Sequence, residues 1–242
     1  MLRFIYVILA RTFSIIYFVP KMAYYAKHPE KYPEEDCYRL ALDIIKKVQK
    51  TARVSTEYIG TEKIPQKSGY IIFSNHQGKY DALGILSAHP APCAVLMDKK
   101  RANLPIAKQF IDLIRAKRIE KNNPRQQIRV INEIAKEVSE GRNYLIFPEG
   151  GYEKKCDNSL ADFKYGCFYS AIKAKSPIMP VALIDSYKPF GINSLSRVKT
   201  KVIFLPVIPY EEYKNMKAPE LCAYVKEKIA STIEKYDTNT ER

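Results

Sequence analysis

Tyr70-Ile71-Ile72-Phe73-Ser74-Asn75-His76-Gln77-Gly78-Lys79-Tyr80-Asp81 decides how this chain is read. Residues 70–74 are a short uncharged run, mostly apolar, of the kind that forms a strand buried on both faces. A histidine and an acid five residues apart follow it. On one continuous helix such a pair diverges by about 140°, given about 3.6 residues per turn. Contact between them therefore requires a loop. Gln77 to Tyr80 supply one, with Gly78 free to take unusual dihedrals. The expectation is a strand that ends at Ser74, His76 on the rim of a sheet, and Asp81 opening and capping the next helix. Asp81 then accepts the ring N–H, fixes the tautomer and raises the basicity of the other nitrogen, which takes a proton from an attacking hydroxyl. The spacing alone is a weak signal, and a lone histidine is more often structural. His28, in a polar segment, and His89, before Pro90, read as solvent-facing or structural.

A second marker, Phe147-Pro148-Glu149-Gly150-Gly151, ends another apolar run. Proline terminates a ladder, and the glycines let backbone approach a ligand. Glu149 is either an exposed turn residue or an acceptor for a substrate hydroxyl that also orders nearby cations. Parallel strands open their carboxyl ends onto a common crevice, where His76 and Glu149 would face each other. A third element is cationic: Lys117, Arg118 and Lys121 precede Asn122-Asn123-Pro124, a helix start. Helix N–H groups with a nearby Lys suit a phosphate, although on a chain of formal charge +14 a solvated basic loop is common. Lys99, Lys100 and Arg101 form a similar, lesser cluster.

Outward from these markers, residues 54–59, 93–97, 144–147, 178–184 and 202–205 read as further strands. Helical stretches lie at 81–87, 104–115, 124–140, 163–175 and 219–236, with a frayed tail after them. Alternating strands and helices imply an α/β fold, a mixed, largely parallel sheet flanked by helices on both faces. Residues 2–19 are almost wholly apolar, broken by Arg3 and Arg11. As one helix they reach about 27 Å, just short of a bilayer core. A charge at Arg11, near the middle, favours a helix lying in one leaflet with that side chain snorkelling to phosphates. No convincing cleavage site follows, so attachment is preferred to a signal peptide. The stripe Cys37, Leu40, Ala41, Ile44, Ile45 and Val48 marks a second helix at 34–52, read as the partner of the first in a membrane platform. The organisation expected is 1–52 as membrane-associating helices and 53–242 as the catalytic domain.

Composition bounds the partners. Lys and Arg total 40 against 26 Asp and Glu in 242 residues, which favours a polyanion such as an anionic lipid surface. Nucleic acid is not expected, because the basic residues are spread and no recognition motif is present. Five scattered cysteines (Cys37, Cys93, Cys156, Cys167, Cys222) without a CxxC pair argue against zinc and disulfides, so no metal is expected and the compartment reads as reducing.

These residues resemble the lysophosphatidic acid acyltransferase family, within the glycerolipid acyltransferase superfamily, over roughly residues 54–205. Asn75-His76 through Asp81 is similar to its N-H-x-x-x-x-D block. Ile119-Glu120-Lys121 resembles a second block that ends in a phosphate-contacting arginine, here lysine, which keeps the charge but loses bidentate geometry. Phe147-Pro148-Glu149-Gly150 resembles the third, and Ile178-Met179-Pro180-Val181 the fourth, the acyl-donor side or wall of the site. The resemblance implies His76 as general base, Asp81 as its orienting partner, and Asn75, Lys121, Glu149, Gly150, Lys164 and Pro180 as substrate-binding. It implies transfer of a fatty acyl group from coenzyme A or acyl carrier protein to the free hydroxyl of 1-acylglycerol-3-phosphate. No bound cofactor is needed, the thioester being a co-substrate. The expected partners are an anionic phospholipid membrane, a lysophospholipid acceptor and acyl carrier protein, at the cytoplasmic face. One departure stands out: the family's third block continues with a hydroxyl and an arginine, whereas this chain has Gly151-Tyr152. Another lysolipid acceptor, or a non-catalytic basic membrane- or nucleic-acid-binding role, is the alternative.

Overall fold

The computed structural model describes residues 2–152 and 157–237. Cys156 and most of the expected tail lie outside the described residues. Seven strands, β1 (Val54–Ile59), β2 (Ile71–Ser74), β3 (Cys93–Asp98), β4 (Lys117–Ile119), β5 (Asn143–Ile146), β6 (Ile178–Ile184) and β7 (Val198–Phe204), form one sheet. Its order is β1-β7-β6-β2-β5-β3-β4, and the β6–β7 pair alone is antiparallel. Five neighbouring strands, β6, β2, β5, β3 and β4, therefore deliver their carboxyl ends to the same edge. This is the mixed, largely parallel sheet that the sequence implies.

The helices are α1 (Leu2–Ala10), α2 (Thr12–Lys27), α3 (Glu34–Thr51), α4 (Asp81–Ala88), α5 (Lys99–Ala102), α6 (Ala107–Leu113), α7 (Pro124–Ser139), α8 (Tyr169–Ala174), α9 (Lys188–Gly191), α10 (Tyr210–Tyr213) and α11 (Ala218–Tyr236). They cover both faces. Alternate residues of the central strands point opposite ways. On one side Ile72, Leu145 and Val181 pack with Cys37, Ala41 and Ile45 of α3. On the other, Ile71, Phe73 and Ile146 pack with Ile134 and Val138 of α7 and Val225 and Ile229 of α11. At about 1.5–3 kcal/mol for each fully buried aliphatic side chain, these two layers hold the sheet.

Several details differ from expectation or add to it. The apolar stripe of α3 is buried in the core, so that face of the helix packs on the sheet. The first apolar segment is not one helix: α1 and α2 meet at Arg11 with a bend of 80°. Arg11 does not reach outward. Its Nε donates to Thr51 Oγ1 at 2.6 Å and it reaches the Lys47 carbonyl at 3.4 Å, which ties the bend to α3. Arg3 is 1% exposed and donates to the carbonyls of Lys188, Pro189 and Ser196, docking α1 on α9. Residues 104–106 stay outside α6. Residues 165–168 form a 3₁₀ turn ahead of α8. Lys117–Ile119 is a short edge strand paired with β3, and β7 begins four residues earlier than expected because Lys199 and Lys201 alternate with buried positions.

Pro180 sits mid-sheet without an N–H. The β6–β7 ladder runs from Val181↔Phe204, while the next bridge is Ile178↔Ile208, which leaves one extra residue on the β7 side. That bulge takes up the missing donor.

Candidate active site

The strand edge assembles the site in sheet order. After β6 comes Ser186, after β2 His76, after β5 Glu149 and Gly150, after β3 Arg101, and after β4 Lys121. Each lies two to four residues beyond its strand, where a parallel sheet opens its crevice.

His76 Nδ1 lies 2.7 Å from Asp81 Oδ2. The same oxygen accepts the backbone N–H groups of Gln77 (2.5 Å) and Gly78 (2.8 Å). Oδ1 accepts from Ser186 Oγ at 2.6 Å. Backbone N–H groups can only donate, so Asp81 is an acceptor there and the ring proton belongs on Nδ1. The neutral imidazole therefore carries its lone pair on Nε2, the atom a general base needs. Asp81 is fully buried, and His76 keeps 17% of its side chain exposed. The acid is the first residue of α4 and turns back on the loop; it does not cap the helix, contrary to expectation.

The ring is held on three sides. Phe147 stacks on it, with centroids 4.3 Å apart and planes at 17°. Tyr152 meets it edge-on at 4.7 Å. Glu149 Oε1 accepts the His76 backbone N–H at 2.8 Å, across the β2–β5 gap. Glu149 Oε2 accepts the Ala161 N–H at 3.3 Å. This carboxylate, 8% exposed, faces the backbone of the histidine loop and not the cleft, so the structure makes it a tether where the sequence suggested a substrate contact. Gln77 braces the other side, donating to Asn158 Oδ1 (2.9 Å) and accepting from the Ser186 N–H (2.7 Å).

Two further expected contacts do not reach the cleft. Asn75 is 1% exposed, and both ends of its amide bond the Leu183 backbone, Nδ2 to the carbonyl at 3.0 Å and Oδ1 from the N–H at 2.7 Å. It joins β2 to β6. Pro180 is buried within β6 and pairs with Phe73.

The cations divide sharply. Lys117 pairs with Glu137 and Glu133, Arg118 with Asp112, and Lys99 with Glu120. That removes half of the two basic clusters from ligand binding, and Asn123 caps α7 itself. Among the described residues, Arg101, Lys121 and Lys164 have no carboxylate within ion-pair distance, and all three line the cavity that His76 faces. Gly150 (φ +71°) and Gly151 (φ +155°) make room for two of them. A Cβ on Gly150 would stand 3.1 Å from Lys164 Nζ, and one on Gly151 2.9 Å from Lys121 Nζ.

The cavity has a volume of about 1670 Å³, above the roughly 300–1,000 Å³ of an ordinary small-molecule site. Its polar end holds His76 and these cations. Its apolar end runs between Val7, Phe18 and Met22 of α1 and α2, Ile45 of α3, and Phe110 of α6. A separate cavity of about 540 Å³ between Lys27, Lys108 and Arg142 shares no lining residue with it. A base with its tautomer fixed, beside unpaired cations and a long apolar slot, can deprotonate a hydroxyl on an anionic amphiphile.

Sequence reasoning missed Ser186, Phe147 and Tyr152 as parts of the site and gave Arg101 too little weight. The signal for Arg101 was present, since it follows an apolar run of strand length as His76 does. Nothing local marks Ser186, which is 105 residues from Asp81.

A family model described as Acyltransferase matches residues 55–184. The 1-acyl-sn-glycerol-3-phosphate acyltransferase alpha of Ovis aries is 25% identical over 190 residues, 77% of this chain and 65% of that protein. The chain thus spans a little under two thirds of that mammalian relative's length. The 1-acyl-sn-glycerol-3-phosphate acyltransferase of Escherichia coli is 27% identical over 168 residues, 69% of this chain and 68% of that one. The crystal structure of the 1-acyl-sn-glycerophosphate acyltransferase PlsC from Thermotoga maritima shares the fold, with a TM-score of 0.78 at 18% identity, covering 98% of this chain and 97% of that chain.

Proposed function

The chain belongs to the acyltransferase family, and on that premise we propose that it moves a fatty acyl group from a thioester to the free hydroxyl of 1-acylglycerol-3-phosphate, giving phosphatidic acid. The observation that carries this reading is the Asp81–His76 pair at the junction of an unpaired cationic rim and a long apolar cavity. His76 Nε2 takes the hydroxyl proton as the oxygen attacks the thioester carbonyl. A C–O bond forms, and the carbonyl electron pair moves to oxygen. Collapse of the tetrahedral species breaks the C–S bond, and the imidazolium returns its proton to the departing thiolate. No acyl-enzyme is required. Asp81 stabilises the transient imidazolium without itself taking the proton. The Gly150 N–H is committed to the Phe147 carbonyl at 3.0 Å, so of the two glycine N–H groups that of Gly151 is the one left to meet the oxyanion. The donor is carried by coenzyme A or acyl carrier protein.

In this reading the enzyme works on an anionic bilayer at the cytoplasmic face, and an amphiphilic acceptor and product suit a bilayer surface. No single helix among the described residues is long and apolar enough to cross a membrane. The bent α1–α2 pair instead exposes Leu9 (69%), Phe13 (90%) and Ile16 (64%), which suits insertion into one leaflet. Free Cys37, Cys93, Cys167 and Cys222 fit a reducing compartment. Purified protein incubated with labelled acyl-CoA and 1-acylglycerol-3-phosphate tests the reaction. Labelled phosphatidic acid is the expected product, and turnover no better than with an acceptor lacking the phosphomonoester would reject this acceptor.

A further inference from the structure

The turn after Glu149 carries no cation at Gly151 or Tyr152, yet a guanidinium stands there. Arg101 arrives from the end of the neighbouring strand, β3. Asp98 Oδ1 accepts the Arg101 backbone N–H at 3.1 Å and fixes where that side chain leaves the sheet. Its guanidinium carbon lies 4.6 Å from the centroid of the Tyr152 ring, and that ring lies 4.7 Å edge-on from His76. Burial raises the Tyr152 phenol, and Arg101 beside it acts in the opposite direction. The two steps put the guanidinium within about 10 Å of the imidazole, with no carboxylate pairing it among the described residues.

One ligand can reach both groups across a gap of that size or less. In a glycerol-3-phosphate monoester the C2 hydroxyl oxygen and the phosphorus are four bonds apart, on the order of 5 Å when extended. With a hydrogen bond of about 2.8 Å to His76 at one end and a fork contact at the other, the fully extended reach is a little over about 10 Å, so a less extended monoester can touch both groups. Lysine offers a point charge, whereas guanidinium offers two parallel N–H donors to two phosphate oxygens.

Resting on the acyl-transfer reading above, we propose that Arg101, held over the Tyr152 ring, is the residue that selects a phosphomonoester acceptor, supplying from β3 the guanidinium that the Glu149 turn lacks. Lys121 and Lys164 add charge at the rim, and Tyr152 is a positioning residue that keeps the guanidinium beside the base.

The test measures Arg101→Met, Arg101→Lys and Lys100→Met with 1-acylglycerol-3-phosphate and with uncharged monoacylglycerol in detergent micelles. For Arg101→Met the KM for the phosphomonoester is expected to rise at least tenfold, with kcat within threefold and the thermal midpoint unchanged. The preference for phosphomonoester over neutral acceptor, as a ratio of kcat/KM, falls at least tenfold. Arg101→Lys lies between, and Lys100→Met matches the parent. An unchanged preference ratio, or a rise confined to the KM for acyl-CoA, overturns the proposal. A parent protein that acylates neither acceptor rejects the transfer reading instead. Equilibrium binding of labelled 1-acylglycerol-3-phosphate to His76→Ala, with and without Arg101→Met, then decides the Arg101 contact on its own: tenfold weaker binding supports it and equal binding overturns it.

Discussion

Replacing Glu149 by glutamine separates a tether from a substrate contact. The native carboxylate accepts two backbone N–H groups, from His76 at 2.8 Å and Ala161 at 3.3 Å. Glutamine keeps one oxygen for His76 and turns an NH₂ toward a second donor. A hydrogen bond to a charged group contributes about 1.5–3 kcal/mol and a neutral one about 1, so the first contact weakens by roughly 1 kcal/mol. The second becomes donor against donor in a nearly buried place, at a cost of about 1 kcal/mol or more. The total, about 2 kcal/mol, lowers the melting temperature by roughly 4–8 °C for a domain of this size. The histidine loop loosens where the chemistry happens, so kcat is expected to fall on the order of tenfold to thirtyfold, at about 1.4 kcal/mol per factor of ten. The KM for the acceptor stays within threefold. Steady-state kinetics at varied acceptor, paired with thermal unfolding, reads all three quantities. A tenfold rise in acceptor KM with kcat and melting temperature unchanged would refute the tether and return Glu149 to the substrate.

Three other outcomes follow from the same contacts. His89 is 1% exposed, donates from Nδ1 to the Ala91 carbonyl, accepts at Nε2 from the Tyr70 hydroxyl, and burial lowers its pKa. A depressed folded-state value means that the unfolded chain takes the proton first, so this contribution is complete above about pH 6.5 and is lost as pH falls toward the folded value, by up to about 1.4 kcal/mol per pH unit; urea unfolding between pH 7.5 and 5 should show that slope, and His89→Phe should flatten it. Leu9→Asp with Phe13→Asp removes two exposed apolar side chains, each contributing about 1.5–3 kcal/mol when buried; co-sedimentation with vesicles containing anionic phospholipid should drop at least tenfold, and unchanged binding would move the contact surface elsewhere. Asp81→Asn puts an amide among four donors and should lower kcat at least about a hundredfold, with Ser186→Ala causing a smaller loss in the same assay.

Much of this architecture could be read from residue order because the relevant signals were local. The 70–74 run, the five-residue spacing to Asp81 and the Pro148-Glu149-Gly150 turn each carry their own backbone logic, and the structure sets them on adjacent strands β2 and β5. What escaped was decided by partners far along the chain. Lys117 and Arg118 looked like a phosphate clamp until Glu137 and Asp112 claimed them. Arg11 looked like a snorkelling charge until Thr51 accepted it. Asn75 belongs to the strongest motif, yet it spends both ends of its amide on Leu183, 108 residues away. The stripe on α3 was visible, but its partner was not: a helix with one apolar face fits a sheet as well as a bilayer, and only the fold assigns it to Ile72 and Val181. Arg101 and Tyr152 come from different strand ends and meet through a cation–ring contact that no spacing rule describes.

The account depends most on the proton acceptor, and His76→Ala measures it directly. With labelled thioester and lysophosphatidic acid, kcat/KM should fall by about a hundredfold to ten-thousandfold, while the far-ultraviolet spectrum and vesicle binding match the parent protein. Turnover within a few-fold of the parent in that folded variant would contradict the assignment of the base.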